Sequence, residues 1–80
     1  MIDKDKLNKI VAKALNVPLE KINDQSSSSN LEEWDSLGHL AILTSIDNQT
    51  SGKASKIETL SSCTSLKDLY ETLVSNNIAK

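Results

Sequence analysis

The sequence predicts an all-α fold, a small bundle of four helices of which three are longer and one is short. Three observations favour this fold. Apolar residues recur at steps of three and four in three separate segments, as they do on one face of a helix. No segment shows the sustained apolar–polar alternation of a half-buried strand. The chain has 80 residues, among them two Gly and one Pro. This length has room for one small domain, residues 1–80.

The first predicted helix runs from about Asp3 to Leu15. Asp3 is the expected N-cap, because its carboxylate can accept a hydrogen bond from a free N–H of the first turn. Asn16 and Pro18 end the helix, since Pro cannot continue one. One stripe holds its apolar residues: Leu7, Ile10, Val11, Ala14 and Leu15.

Residues 16–35 are predicted to form a long loop that packs through a few apolar side chains, its anchors. The serine run at 26–29 is expected to be flexible and solvated. Trp34 is expected to pack where the loop meets the next helix, and its truncation would cost about 3 kcal/mol. The other anchors are Val17, Leu19, Ile22 and Leu31.

The second helix is predicted to begin at Asp35 or Ser36 and to end near Asn48, with Asp35 as its N-cap. A polar loop at 49–55 separates it from a short third helix at about Lys56–Leu60. One face of the second helix is predicted to contain Leu37, Leu40, Ala41, Leu43 and Thr44, widened by Ile42 and Ile46.

The last helix has a recognisable start. Ser65 and Asp68 match the [ST]-x-x-[DE] capping-box pattern. Residues Ser75–Lys80 are expected to fray. The apolar stripe of this helix contains Leu66, Leu69, Tyr70, Leu73 and Val74.

Composition excludes several classes of function. Nine basic and 11 acidic residues give a net charge of -2, which argues against a nucleic-acid partner. No apolar run approaches the roughly 20 residues of a membrane-spanning helix, so membrane insertion is not expected. Cys63 and His39 alone cannot form a structural zinc site. The small size argues against an enzyme with its own enclosed pocket. We expect a cytoplasmic monomer without a metal.

The stretch that carries most functional information is residues 31–40. Within it, Ser36 directly follows an acid at the predicted start of the second helix. Its hydroxyl would be exposed at the positive end of the helix dipole, where a phosphodiester would lie against free backbone N–H groups. A second interpretation is also compatible with these residues, namely that Ser36 only helps to cap the helix.

The residues around Ser36 resemble a known motif. Asp35-Ser36-Leu37 resembles the modification motif of acyl carrier proteins, and the resemblance covers nearly the whole chain. The first amphipathic helix, the long anchored loop, the leucine-rich second helix, the short third helix and the Thr64-Ser65-Leu66 start of the fourth follow the order of that family. The resemblance implies the acyl-carrier type of helical bundle.

The resemblance also implies a function. A phosphopantetheinyl transferase would attach 4'-phosphopantetheine from coenzyme A to Ser36, and the attached thiol would carry an acyl or aminoacyl group as a thioester. The carrier itself would not be an enzyme. Asp35 would position Ser36 and contribute to the metal site of the transferase, and Leu37 would dock partner enzymes. The other partners would be enzymes that load and transfer the acyl or aminoacyl group.

The second helix favours a specialised carrier over a housekeeping one. Residues 37–50 contain a single acid, Asp47, whereas fatty-acid carriers have a strongly acidic second helix. The segment Trp34–His39 resembles carriers that serve surface-polysaccharide or secondary-metabolite synthesis. A peptidyl or D-alanyl carrier is the first alternative. A helical interaction domain without a prosthetic group is the second.

The roles of some side chains can be interpreted in more than one way. Ser36 and His39 are three residues apart and could touch on a helix, but no G-x-S-x-G turn surrounds the serine, as it does in many hydrolases. His39 is expected to be a partly exposed polar residue or to line the arm. Cys63 is expected to be a small buried filler. Leu40, Ala41 and Leu43 could belong to the core or to a partner surface.

Overall fold

The computed structural model describes residues 2–80. Three α-helices form the fold: α1 (Lys4–Leu15), α2 (Ser36–Gln49) and α3 (Leu66–Ser75). Three 3₁₀ helices connect them, at Leu19–Lys21, Ala54–Lys56 and Glu58–Ser62. Within residues 2–80 the backbone forms no strand, only two isolated β-bridges. The prediction of an all-α fold is therefore confirmed.

Helix α1 has the predicted start, end and buried face. The Oδ1 atom of Asp3 accepts a hydrogen bond from the backbone N–H of Lys6 at 2.7 Å. Asn16 adopts a left-handed conformation, with φ of 58°, and ends the helix. The buried residues of the helix are Leu7, Ile10, Val11, Ala12 and Leu15.

Helix α2 packs into the core through a narrow part of its apolar surface. Ile42 and Ile46 are fully buried, whereas Leu37, Leu40 and Thr44 are exposed. The choice between core and partner surface was left open for Leu40, Ala41 and Leu43, because α2 is apolar around most of its circumference and its periodicity does not define which side is buried. The packing of α1 and of the 3₁₀ helices against Ile42 and Ile46 decides the orientation instead.

The segment predicted as a short third helix forms two 3₁₀ helices, so the count of four helices is not confirmed. The predicted range was Lys56–Leu60. Ala54, Ile57 and Leu60 are spaced by three residues, which matches the three-residue turn of a 3₁₀ helix. Ala54 and Leu60 are buried, and Ile57 packs against the core. This spacing explains why the segment adopts the tighter helix.

The serine run is packed at its first residue, whereas Ser28 and Ser29 are exposed, as expected for a solvated loop. Ser26 is 2% exposed, and its carbonyl accepts a hydrogen bond from the backbone N–H of Leu66 at 2.9 Å. The N–H of Ser28 donates to the carbonyl of Thr64 at 2.8 Å. These bonds hold the long loop against the start of α3, where Ser65 caps the helix as predicted.

The chain after α3 also differs from the frayed end that was expected. Asn77 adopts φ of 60°, and the N–H of Ile78 then donates to the carbonyl of Leu73 at 2.9 Å. This is the hydrogen-bond pattern of a Schellman motif, which places an apolar residue against the end of the helix. Ile78 and Ala79 are buried, and Ile78 accepts a hydrogen bond from the N–H of Ile2 at 2.9 Å.

The three helices and the connecting turns enclose one apolar core. Leucine and isoleucine supply most of it, because the chain has no Phe and only one Trp. Among residues 2–80, no helix has the length and apolar character needed to cross a membrane. The fully buried large side chains are Ile2, Leu7, Val11, Ile42, Ile46, Leu60, Leu66, Leu69 and Leu73.

Candidate functional site

The candidate site is the start of α2, which we call the Ser36 site and define as residues 33–39. Ser36 is the first residue of α2 and is exposed. Asp35 precedes it as the N-cap, and the Oδ1 atom of Asp35 accepts a hydrogen bond from the backbone N–H of Gly38 at 2.8 Å. No side chain or backbone group of residues 2–80 forms a hydrogen bond with the Ser36 hydroxyl. The serine oxygen is therefore accessible to solvent and has no hydrogen-bond partner among these residues.

Gly38 allows the loop before α2 to fold closely onto the helix. A Cβ atom at this position would overlap the carbonyl oxygen of Glu33 and would lie 2.8 Å from Cδ2 of Leu15. Only a residue without a side chain leaves space for both contacts. The loop, the end of α1 and the first turn of α2 consequently meet at Gly38, two residues after Ser36.

Trp34 and His39 form a hydrogen-bonded pair beneath the site. The indole Nε1 of Trp34 donates to Nδ1 of His39 at 3.0 Å, and the two ring planes are nearly parallel, with an angle of 16° between them. The Nε2 atom of His39 lies 3.0 Å from the carbonyl oxygen of Leu60. Trp34 is 2% exposed, so it packs at the junction of loop and helix as predicted.

The structure does not bring Ser36 and His39 together as a catalytic pair. Both ring nitrogens of His39 are engaged, one with Trp34 and the other with Leu60. A general base must reach the proton that it removes. The imidazole in this arrangement supports the fold beneath the serine and does not reach its hydroxyl.

Charge is distributed unevenly around the site. Glu32, Glu33 and Asp35 are exposed acids before the helix. The first 11 residues of α2, at 36–46, contain no Asp, Glu, Lys or Arg. The site therefore has an acidic side and an uncharged side.

The uncharged side of the site is an exposed apolar strip, defined as Leu37, Leu40 and Thr44. Leu37 is 77% exposed and Leu40 is 59% exposed. The hydroxyl of Thr44 donates to the carbonyl of Leu40 at 2.9 Å, which satisfies the hydroxyl within the helix. Ala41 and Leu43 beside the strip are half-buried. The strip gives α2 a surface that favours contact with apolar groups of a partner.

A groove of about 370 Å³ lies between α2 and the 3₁₀ helices. Leu43, Ile57 and Leu60 line its apolar side, and Asp47 and Glu58 lie at its polar side. The Oδ1 atom of Asp47 accepts a hydrogen bond from the backbone N–H of Ser55 at 2.9 Å. This bond ties the far end of α2 to the segment that forms the opposite wall of the groove.

Cys63 is a buried filler, as predicted. Burial raises the pKa of its thiol, and the nearby carboxylate of Asp68 adds to the increase, while a hydrogen bond with Thr72 acts in the opposite direction. The thiol contacts the carbonyl of Thr59 at 3.4 Å. Within residues 2–80, no group of three His, Cys, Asp or Glu side chains is arranged to hold a metal ion.

Comparison with protein-family models, with curated proteins and with solved structures finds no match to this chain. Its function is therefore inferred from its own residues. The three residues singled out from the sequence, Asp35, Ser36 and Leu37, lie side by side at the start of α2. Two further features were missed. Glycine within a helical pattern often marks a close contact, and Gly38 carried that signal. Nothing in the sequence indicated the hydrogen bond from His39 to Leu60.

Proposed function

We propose that this chain is a carrier protein, which bears acyl or aminoacyl groups as thioesters on 4'-phosphopantetheine attached to Ser36. The observation that carries the proposal is the Ser36 hydroxyl. It is exposed and unbonded at the first residue of a capped helix, beside the highly exposed Leu37. A hydroxyl in this position is accessible to a modifying enzyme.

The residues of the Ser36 site fit a phosphodiester in its attached state. The backbone N–H groups at the start of α2 face outward, and the positive end of the helix dipole favours an anion there. The attached thiol supplies the thioester chemistry, while the chain itself presents the arm to its partners.

The attachment reaction balances without a further reactant. The Ser36 oxygen forms a bond to the phosphorus that carries the pantetheine in coenzyme A, and the bond to the adenosine bisphosphate group breaks. The serine proton passes to a base of the phosphopantetheinyl transferase, which also supplies magnesium. Asp35 carries the carboxylate closest in sequence to the reacting oxygen, and we assign it a contribution to that metal site.

The fold supports the carrier proposal through the placement of its elements. We assign the two 3₁₀ helices at 54–62 to the position of the short third helix of an acyl-carrier bundle. The strip of Leu37, Leu40 and Thr44 is the proposed docking surface for the enzymes that load and transfer the cargo. The paucity of acids in α2 favours a specialised cytoplasmic carrier, including a peptidyl or D-alanyl carrier.

The test is the intact mass after incubation with coenzyme A, magnesium and a broad-specificity phosphopantetheinyl transferase. The wild-type chain should gain one phosphopantetheine, and Ser36→Ala should gain none. Ser29→Ala is the matched control, since Ser29 is an exposed serine of the loop, and it should be modified like the wild type. A folded wild-type chain that stays unmodified counts against the proposal.

A helical interaction domain without a prosthetic group is the second candidate. The exposed apolar strip of α2 favours it, because such a surface can bind a partner without any modification of Ser36. The mass experiment separates the two functions. An interaction domain would remain unmodified and would bind its partner equally well as Ser36→Ala.

A further inference from the structure

We propose that His39 is a positioning residue for the modification of Ser36, which it achieves by joining Trp34 to Leu60 beneath the serine. This inference rests on the proposed carrier function. It adds a residue outside the Asp35-Ser36-Leu37 motif to the machinery of the site.

The hydrogen-bond partners determine the state of the His39 ring. An indole N–H can only donate, so Nδ1 of His39 must accept the bond from Trp34. In a neutral imidazole the proton then lies on Nε2. That proton points to the carbonyl oxygen of Leu60, which can only accept. The relay from Trp34 through His39 to Leu60 is therefore complete with a single neutral tautomer.

The relay joins both sides of the attachment point to a distant segment. Trp34 lies two residues before Ser36, and His39 lies three residues after it, in the first turn of α2. The backbone N–H of His39 also donates to the carbonyl of Asp35 at 2.8 Å. Leu60 belongs to the 3₁₀ helix at Glu58–Ser62, 21 residues further along the chain.

The position of Ser36 depends on these neighbours because its own side chain forms no bond within residues 2–80. The serine is held only through the backbone of Asp35 and the first turn of α2. His39 fixes that turn against the buried Trp34 and against Leu60, which are both 2% exposed. A transferase that binds the surface around Ser36 thus meets one arrangement of the loop, the helix and the 3₁₀ segment. Without the relay, several arrangements would compete and productive binding would weaken.

The experiment compares two substitutions of His39. Leucine fills similar space but neither accepts nor donates, so His39→Leu removes both bonds. Glutamine has an acceptor oxygen and a donor nitrogen on one group, so His39→Gln can keep both. We expect kcat/KM for modification to fall about tenfold in His39→Leu, mainly through a higher KM for the carrier. His39→Gln should restore most of the loss.

Matched variants separate positioning from a general loss of stability. Trp34→Phe removes the indole donor and should also raise KM, and the double variant with His39→Leu should lose less than the two single losses combined. Ile10→Val weakens the core on α1, and it should leave KM unchanged. All rates are measured at a temperature where circular dichroism shows each variant to be folded.

The outcomes distinguish this inference from the proposed function. Modification of folded His39→Leu at the wild-type rate, or equal losses for leucine and glutamine, overturns the role of His39 alone. A folded wild-type chain that no transferase modifies overturns the carrier function and this role with it. The indole N–H resonance of Trp34, the sole tryptophan, gives a second readout. It should move in His39→Leu and stay near its wild-type position in His39→Gln.

Discussion

The carbonyl oxygen of Glu33 occupies the space that a side chain on Gly38 would need. We therefore expect Gly38→Ala to destabilise the protein, although alanine favours helices by about 1 kcal/mol over glycine. Overpacking a well-packed site costs about 1–3 kcal/mol and occasionally more. The net loss in the free energy of unfolding should be about 1 kcal/mol, measured by urea unfolding. Asn48→Ala on the exposed side of α2 is the control and should be neutral or slightly stabilising. A stabilised Gly38→Ala would contradict the close contact.

Asp35 has a capping role and a proposed functional role that two substitutions separate. Asp35→Ala removes the acceptor for the N–H of Gly38 and should lower the free energy of unfolding by about 1 kcal/mol. Asp35→Asn keeps a capping oxygen and should leave stability nearly unchanged. If the carboxylate contributes to the metal site of the transferase, Asp35→Asn should still slow modification by about tenfold or more. Wild-type kinetics in Asp35→Asn would restrict Asp35 to capping.

The apolar strip predicts weak salt dependence of partner association. Residues 36–46 carry no charged side chain, so docking through Leu37 and Leu40 should lack strong electrostatic steering. We expect kcat/KM for modification to change little as the salt concentration rises. Leu37→Ala should raise KM and leave stability within about 0.5 kcal/mol, because Leu37 is 77% exposed. A steep loss of rate with salt would show that the acids before α2 dominate docking.

The buried thiol of Cys63 predicts a stability change at alkaline pH. Burial raises its pKa above the ordinary value of 9.0, so the folded protein keeps the proton after the unfolded chain has lost it. The free energy of unfolding should therefore be fully maintained below pH 9.0 and should decrease as the pH rises through the higher folded pKa. Cys63→Ala should remove this part of the slope in urea unfolding measured across that range. Rapid alkylation of the native thiol at neutral pH would be inconsistent with its burial.

The burial of Ile78 predicts that the end of the chain contributes to stability. Its side chain is 7% exposed, so Ile78→Ala should lower the free energy of unfolding by about 2 kcal/mol or more. Lys80→Ala is the control, because Lys80 is exposed and its backbone bond to Ile2 remains. Thermal unfolding followed by circular dichroism provides the comparison. Equal melting temperatures for the two variants would mean that the end frays after all.

The sequence predicted the parts of the fold that depend on local chemistry. Asp3, Asp35 and Ser65 were expected as N-caps, and each accepts the expected backbone hydrogen bond. Capping depends on residues within a few positions of each other, so one sequence is enough to find it. Most of the stripes of α1 and α3 were predicted because both helices have one clearly apolar side. Val74 is exposed, however, and Ala14 and Tyr70 are half-buried.

The remaining features depend on contacts between distant parts of the chain. The orientation of α2 is set by the packing of Ile42 and Ile46, and its near-uniform apolar character concealed that choice. The bond from His39 to Leu60 joins residues that have no local relationship. For the candidate site, the sequence indicated Asp35 and Ser36 but could not indicate which groups support them from below.

The backbone bonds of Ile2 place the two ends of the described chain side by side. A short peptide could therefore join residues 80 and 2, and the chain could be reopened in the exposed turn at Ser51 and Gly52 without interrupting a helix. That turn follows the far end of α2, about 20 Å from Ser36 by the rise of the helix. Such a circular permutant would offer an anchoring point for a surface or a dye at the opposite end of α2 from the serine.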